Sequence, residues 1–148
     1  MSYEDLIAAL ENRITTLHDM AYDIASAHFK LIKDGEAKMP GWENRSTLHL
    51  RCAKKGNSIR IDWCNVKWYG PKGSRSMMRK PIPKPRGKHE YALGKLYAYA
   101  KDWEKPLIED TEKQMAVIRQ EASHLVKALT YLRYAEMANA KRAEGSSN

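Results

Sequence analysis

Cysteine is scarce in this chain: its 148 residues contain two, Cys52 and Cys64. Eleven residues separate them, which is not a zinc-ligand spacing. If 47–53 and 58–65 form a hairpin with Leu50 opposite Ile61 and Leu48 opposite Trp63, partner numbers have opposite parity. The two thiols then point to opposite faces of the sheet and cannot bridge. Long apolar runs are missing too. Nothing approaches the roughly twenty consecutive apolar residues of a bilayer span, and the opening "MSYEDLIAAL" is acidic where a secretion signal would be basic. Free thiols and no apolar run predict a protein of the reducing cytoplasm with no membrane partner.

Catalytic patterns are equally thin. The five histidines, His18, His28, His49, His89 and His124, are scattered. His89 and Glu90 open "HEYAL", which lacks the second histidine of a zinc-protease helix. His28 falls in a helical seam and reads as a buried or half-buried polar residue. "GPKG" reads as a turn and not as a phosphate loop. Carboxylates are abundant only on the helices, where Glu109, Asp110 and Glu112 look like a solvated first turn favourable to the helix dipole. Eight tyrosines are present, with neither a histidine cluster nor a set of positioned arginines to activate one. The expectation is a non-enzyme with no cofactor and no metal.

Acidic residues are nearly absent from one stretch, and that absence is the most informative. Residues 46–101 hold 14 Lys/Arg against 2 Asp/Glu, a net of +12. The flanks are mildly acidic: 5 against 8 in residues 1–45, and 7 against 8 in residues 102–148. Segregated positive charge is expected of a surface that meets a polyanion, whereas solubility alone would not require it.

Periodicity supplies the framework. A 3,4 rhythm through Tyr3, Ile7, Leu10, Ile14, Leu17, Ala21, Ile24, His28 and Leu31 predicts a helix over residues 1–35, ending at "KDGE". The same rhythm through Ile108, Thr111, Met115, Ile118, Ala122, Leu125, Leu129, Leu132 and Glu136 predicts a second over 102–141, capped by Asp102, with 142–148 a frayed tail. Seams of equal length at opposite chain ends suggest an antiparallel, coiled-coil-like pair within one domain; two intermolecular coiled coils, as in a homodimer, are the alternative. Between them lie three strand candidates, "STLHLRCA", "SIRIDWCNVKWY" and "SRSMMRK", joined by the turns "KKGN" and "GPKG". In the middle strand the apolar phase passes from Ile59, Ile61 and Trp63 to Cys64, Val66 and Trp68, which predicts a bulge near Trp63. The three prolines of "KPIPKPRGKHE" exclude a central strand and leave an extended cationic connector. "YALGKLYAYA" closes the set as a short helix over 90–100. The fold class is therefore α+β: two long antiparallel helices as a stalk, with a three-stranded antiparallel sheet over 46–82 as its head.

A two-stranded ribbon or small sheet can enter the DNA major groove, with Lys and Arg contacts to phosphate supplying most of the affinity. Arg51, Arg60, Lys67, Arg75, Arg79 and Lys80 fall on strands and Lys54, Lys55 and Lys72 on turns, so turn lysines would grip phosphates and strand arginines would reach guanine edges. Lys84, Arg86 and Lys88 on the connector would lie along the duplex as an arm. Trp63 continues the Ile59 and Ile61 face and reads as core. Trp68, beside Lys67, fits either packing or a nucleic-acid contact. Double-stranded DNA is the preferred partner; RNA, through stacking, and an acidic protein surface are the alternatives.

"SIRIDW", the basic hairpin, the Tyr-led short helix, "AKDWEKPLIEDTE" and "AVIRQEASHLVKAL", in that order over residues 58–132, resemble the MobI family of conjugative transfer proteins. The marks are Trp63, Tyr91, Trp103, Glu104, Glu112 and Arg119. The resemblance implies a small accessory factor of plasmids or integrative and conjugative elements. It would act at the origin of transfer and help a relaxase mobilise DNA without cutting it. A phage or mobile-element protein that reads recombination sites with a similar sheet is the nearest rival.

Overall fold

The apolar seams do form two long helices. The structure, a computed structural model that describes residues 1–146, is α+β: helix α1 spans Tyr3–Lys38, strands β1, β2 and β3 span Leu48–Lys55, Ser58–Tyr69 and Ser76–Pro81, short helix α2 spans Leu93–Tyr97, and helix α3 spans Lys105–Ser146. A capping box starts α1: Ser2 Oγ accepts the Asp5 N–H at 3.1 Å and the Asp5 carboxylate accepts the Ser2 N–H at 3.2 Å, which satisfies two donors that a helix start leaves unpaired. The helix runs past the expected stop. It ends at Lys38, just before Pro40 and Gly41, and Gly35 inside it is a contact residue, because a Cβ there would lie 2.4 Å from a ring carbon of Trp103. At the end of the seam the buried residue is Ile32, while Leu31 is 49% exposed, the drift expected when a straight 3.6-residue helix is read with a 3.5-residue repeat.

Helices α1 and α3 lie antiparallel. His28 Nδ1 meets Thr111 Oγ1 at 2.8 Å, Arg13 Nε donates to Glu121 at 2.6 Å and Arg133 lies 3.9 Å from Glu11, so numbers rise on one helix as they fall on the other. Asp102 begins a short 3-10 turn, Asp102–Glu104, without capping through its side chain; its carboxylate accepts from Lys105 Nζ at 2.8 Å instead. Helix α3 continues to Ser146 through the stretch expected to fray, because "AEMANAKRAE" is rich in strong helix formers. Ser147 and Asn148, the rest of that expected tail, lie outside the described residues.

The sheet has the order β1-β2-β3, antiparallel throughout. Its register differs by two residues from the expected one: Leu48 pairs with Asn65, Leu50 with Trp63 and Cys52 with Ile61. A step of two preserves parity, so Cys52 and Cys64 still face opposite sides, and both are free thiols. Turn geometry sets the shift. Gly56 (φ 60°) occupies the first of two loop positions and Asn57, like every described non-glycine residue, does not have positive φ, as in a type II′ hairpin. Pairing runs unbroken past Trp63, so the expected bulge is absent. The apolar phase changes because Trp63, Cys64, Asn65 and Val66 are buried on both faces at once.

The sheet is not a head at the end of a stalk. Asn57, at the hairpin tip, donates to Glu11 at 2.9 Å, the Ser46 N–H donates to Glu36 at 3.0 Å, and Cys52 Sγ sits 3.8 Å from the Ala21 carbonyl between them. Strand β1 therefore runs lengthwise along α1. One face of the first hairpin is a layer of the core, since Ile59, Ile61 and Trp63 have nowhere else to leave water. Leu17, Ala21, Ile61, Met115, Ile118 and Ala122 form one cluster; Leu48, Trp63, Ile82, Tyr91, Leu96 and Ile108 form the other, and Leu50 touches both. The connector is likewise tied down rather than free. The Ile82 N–H donates to the Trp63 carbonyl at 2.9 Å, and Arg119 Nη1 donates to the His89 carbonyl at 2.9 Å.

A buried ion pair locks the layers together. The Glu112 carboxylate accepts from Arg119 at 2.8 and 2.9 Å, from Trp63 Nε1 at 2.9 Å and from the Tyr91 N–H at 2.7 Å. Arg119 also donates from Nε to the Ile61 carbonyl at 3.1 Å, and its guanidinium carbon lies 5.0 Å from the Tyr91 ring centroid. Glu112 is thus not part of a solvated turn. Trp103 is structural in the same sense: it packs on Gly35 and its Nε1 donates to the Asn44 carbonyl at 3.0 Å. Glu104 beside it is fully buried with no carboxyl oxygen in hydrogen-bonding geometry, and burial raises its pKa despite the nearby Ser46 hydroxyl.

Two outcomes follow. Arg119→Met strands the buried Glu112 carboxylate and lowers stability by about 3–5 kcal/mol in urea unfolding; adding E112Q recovers part of the loss, because the side chain is then neutral, although its one carbonyl oxygen replaces only one of the two acceptors that Trp63 Nε1 and the Tyr91 N–H use. Burial also pushes His28 down from 6.5 to about 4. The unfolded chain takes up that proton as pH falls through about 6.5, while the folded chain resists until about 4, so stability drops across this window and levels off below it. At about pH 5 the loss relative to about pH 7.5 is roughly 2 kcal/mol, read as the part of the urea-midpoint shift that His28→Gln abolishes.

Candidate nucleic-acid interface

Strand pairing decides which cations share a face, because residues directly opposite in an antiparallel pair project to the same side. On the outer face, away from the helices, stand Lys55, Arg60, Arg51, Arg79 and Trp68; Lys54, Lys67 and Lys80 belong to the other parity. Those three lysines are nonetheless exposed, because the sheet is wider and longer than the helix layer beneath it. Every residue of β3 is exposed, and so are Lys67, Trp68 and Tyr69 at the end of β2. The β2–β3 hairpin therefore projects as a two-stranded ribbon, open on both faces.

The ribbon tip differs from the tight turn expected of "GPKG". Tyr69 pairs with Ser76, leaving 70–75 as the loop, in which Gly70 (φ 100°) and Gly73 (φ 98°) take conformations that side-chain-bearing residues rarely adopt. Arg75 consequently precedes β3 and belongs to the loop with Lys72, while Lys54 and Lys55 close β1 as strand residues. Trp68 is 60% exposed opposite Met77, so it does not pack. Tyr69 has Lys80 Nζ 5.9 Å from its ring centroid.

Of the twelve cations singled out in the sequence, Arg51 and Arg60 are ion-paired, both with one Asp62 oxygen at 3.1 and 2.6 Å. Among the described residues the other ten form no ion pair with a carboxylate of this chain. Lys84 turns inward and its Nζ donates to the Lys88 carbonyl; Arg86 and Lys88 are exposed on the connector loop, whose Gly87 (φ 72°) makes the turn. Below the end of β3, where the second edge of β2 is uncovered, a hollow of about 380 Å³ gathers Arg60 with its partner Asp62, Lys84, Lys127 and the hydroxyls of Ser58 and Ser123. Lys127 and Ser123 come from α3 and were not legible as site residues, since nothing in the helical seam distinguishes them from other solvent-side positions. Burial raises the Cys64 thiol and takes Cys52 to about 11, so neither is a ready thiolate. No group of three or more His, Cys, Asp or Glu among the described residues is placed to hold a metal ion. No described helix is long and apolar enough to cross a membrane.

The sequence matches the family model described as MobI protein over residues 17–133, which takes in most of α1, the whole sheet and α3 as far as Arg133. The chain belongs to the MobI family. Membership connects it with conjugative mobilisation. It also gives the marks of the resemblance a physical meaning. Trp63, Tyr91, Glu112 and Arg119 are the buried network, and Trp103 and Glu104 close the helix junction, so the single residues that mark the resemblance lie in the frame. No curated protein and no solved structure matches this chain.

Exposed side chains at the ribbon contribute little to the fold. Alanine in place of Lys67, Trp68, Lys72, Arg75 or Arg79 shifts stability by no more than about 0.5 kcal/mol each, whereas Trp63→Ala costs about 3–5 kcal/mol; thermal melts followed by circular dichroism check the contrast.

Proposed function

We propose that this MobI-family protein is a non-enzymatic accessory factor that binds double-stranded DNA at an origin of transfer and works beside a relaxase. One observation carries the reading: a projecting ribbon, open on both faces, whose cations lack carboxylate partners among the described residues. Uncompensated guanidinium and ammonium groups on a protruding element attract a polyanion, and their contacts displace condensed counterions. A two-stranded ribbon has dimensions that the major groove admits. Arg79 on the strand is suited to a guanine edge, while Lys67, Lys72, Arg75 and Lys80 along the ribbon and Lys54 and Lys55 at the hairpin tip are suited to phosphates.

Single-stranded nucleic acid is the second reading, favoured by the exposed Trp68 ring between cations, on which an unpaired base could stack. Competition between duplex and single strand of one sequence separates the two. For duplex binding, log K falls with log salt at a slope of roughly −5 to −7, and replacing Lys67, Lys72 and Arg75 by alanine makes that slope shallower by about 3. Fluorescence anisotropy with origin-of-transfer DNA and a scrambled duplex measures slope and sequence preference together. Equal affinity for both duplexes at every salt concentration, with an unchanged slope in the variant, would overturn the proposal.

A further inference from the structure

The sheet is laid off-centre on its helices. Strand β3 overhangs the helix layer on one side, while on the other the sheet stops at β1 and leaves a stripe of α1 bare: Tyr22 and Phe29 are 60% and 57% exposed. Between this stripe and β1 runs a groove of about 510 Å³. The Val66 N–H donates to the Thr47 carbonyl at 2.7 Å, which fixes the ladder so that the odd residues of β1 bond to β2. The main-chain N–H and C=O of Leu50 and Cys52 therefore point away from β2, into the groove, as an unpaired sheet edge. The rim keeps a positive charge: Lys33 is paired with Glu36, which also accepts from the Ser46 N–H, and Arg51 is paired with Asp62, but Arg79 has no carboxylate partner among the described residues.

We propose that this groove receives an extended acidic segment of a partner protein, which adds to β1 as a fourth strand. Main-chain pairing at Leu50 and Cys52 supplies the register, as in β-strand addition to an exposed sheet edge. Side chains of the added strand alternate: one set falls on the bare Tyr22 and Phe29 stripe and must be apolar, and the other reaches the rim beside Arg51 and Arg79 and is best met by carboxylates. DNA fits the groove poorly, because a nucleic-acid backbone cannot pair with a sheet edge. The β2–β3 ribbon and the β1 edge lie at opposite edges of the sheet, and Arg79, which stands at both surfaces, is the one side chain for which duplex and added strand compete.

The test uses the full chain and a fluorescein-labelled octapeptide of alternating valine and glutamate. In the free protein the amides of Leu50 and Cys52 exchange faster than those of Arg51 and Ala53. Saturating peptide slows the Leu50 and Cys52 exchange at least tenfold, and the double variant Tyr22→Ala/Phe29→Ala weakens binding at least tenfold with an unchanged circular-dichroism spectrum. Lysine in place of glutamate weakens the peptide to the same extent, and methylation of alternate backbone nitrogens abolishes its binding. The proposal is overturned by any of three results: no saturable binding, binding without protection of those two amides, or protection that appears on raising protein concentration alone with a doubling of mass, which would make a second copy the occupant. None of these outcomes depends on whether the ribbon binds DNA.

Discussion

The structure depends on one carboxylate. Glu112 sits in the core of α3 and accepts hydrogen bonds from a helix residue, a strand residue and the loop before α2, through Arg119, Trp63 and the Tyr91 N–H. A buried charge left alone would be costly, so the arrangement persists only with every partner in place. That requirement gives the fold its specificity: hydrophobic burial would let the sheet slide along the helices, whereas the acceptor geometry of Glu112 permits one position of Trp63. Arg119 extends the constraint by holding the Ile61 and His89 carbonyls, which fixes the central strand and the end of the connector together.

Rigid attachment at Trp63 is what allows the rest of the sheet to be exposed. Strand β2 is anchored in its first half and middle, buried through Val66, and bare from Lys67 onward. Its exposed half carries β3 with it, so a charged ribbon is held away from the body at a fixed angle. Long charged strands are poor at burying themselves and poor at pairing with another sheet edge, and both properties suit a surface kept free for a polyanion. The opposite edge has the contrary character, with apolar side chains, unpaired main chain and a bare helix stripe. One offset of the sheet on its helices produces both surfaces.

Much of this was legible in the sequence. Helical seams, three strands, the β2 limits and the parity of the two cysteines follow from periodicity, because a period of 3.6 or 2 is a local property of the chain. The concentration of positive charge was visible for the same reason. Other features were hidden because they are relations between distant segments. Glu112 looks like a solvated carboxylate until Trp63 and Arg119 are brought to it. The apolar seam looks finished at "KDGE" until Trp103 is placed against Gly35, and the change of apolar phase at Trp63 looks like a bulge until both faces of the strand prove to be covered.

By itself, then, the sequence determined the element types, the absence of a disulfide between Cys52 and Cys64, and the segment that carries the charge, since each follows from residue type and spacing along one stretch of chain. Tertiary structure alone decided where the sheet lies on the helices, which arginines share a face, that Trp68 is bare while Trp63 is core, and that the β1 edge is open. Those outcomes rest on which groups 28 to 58 residues apart in the chain complete each other's hydrogen bonds, and no local pattern encodes a partner at that distance.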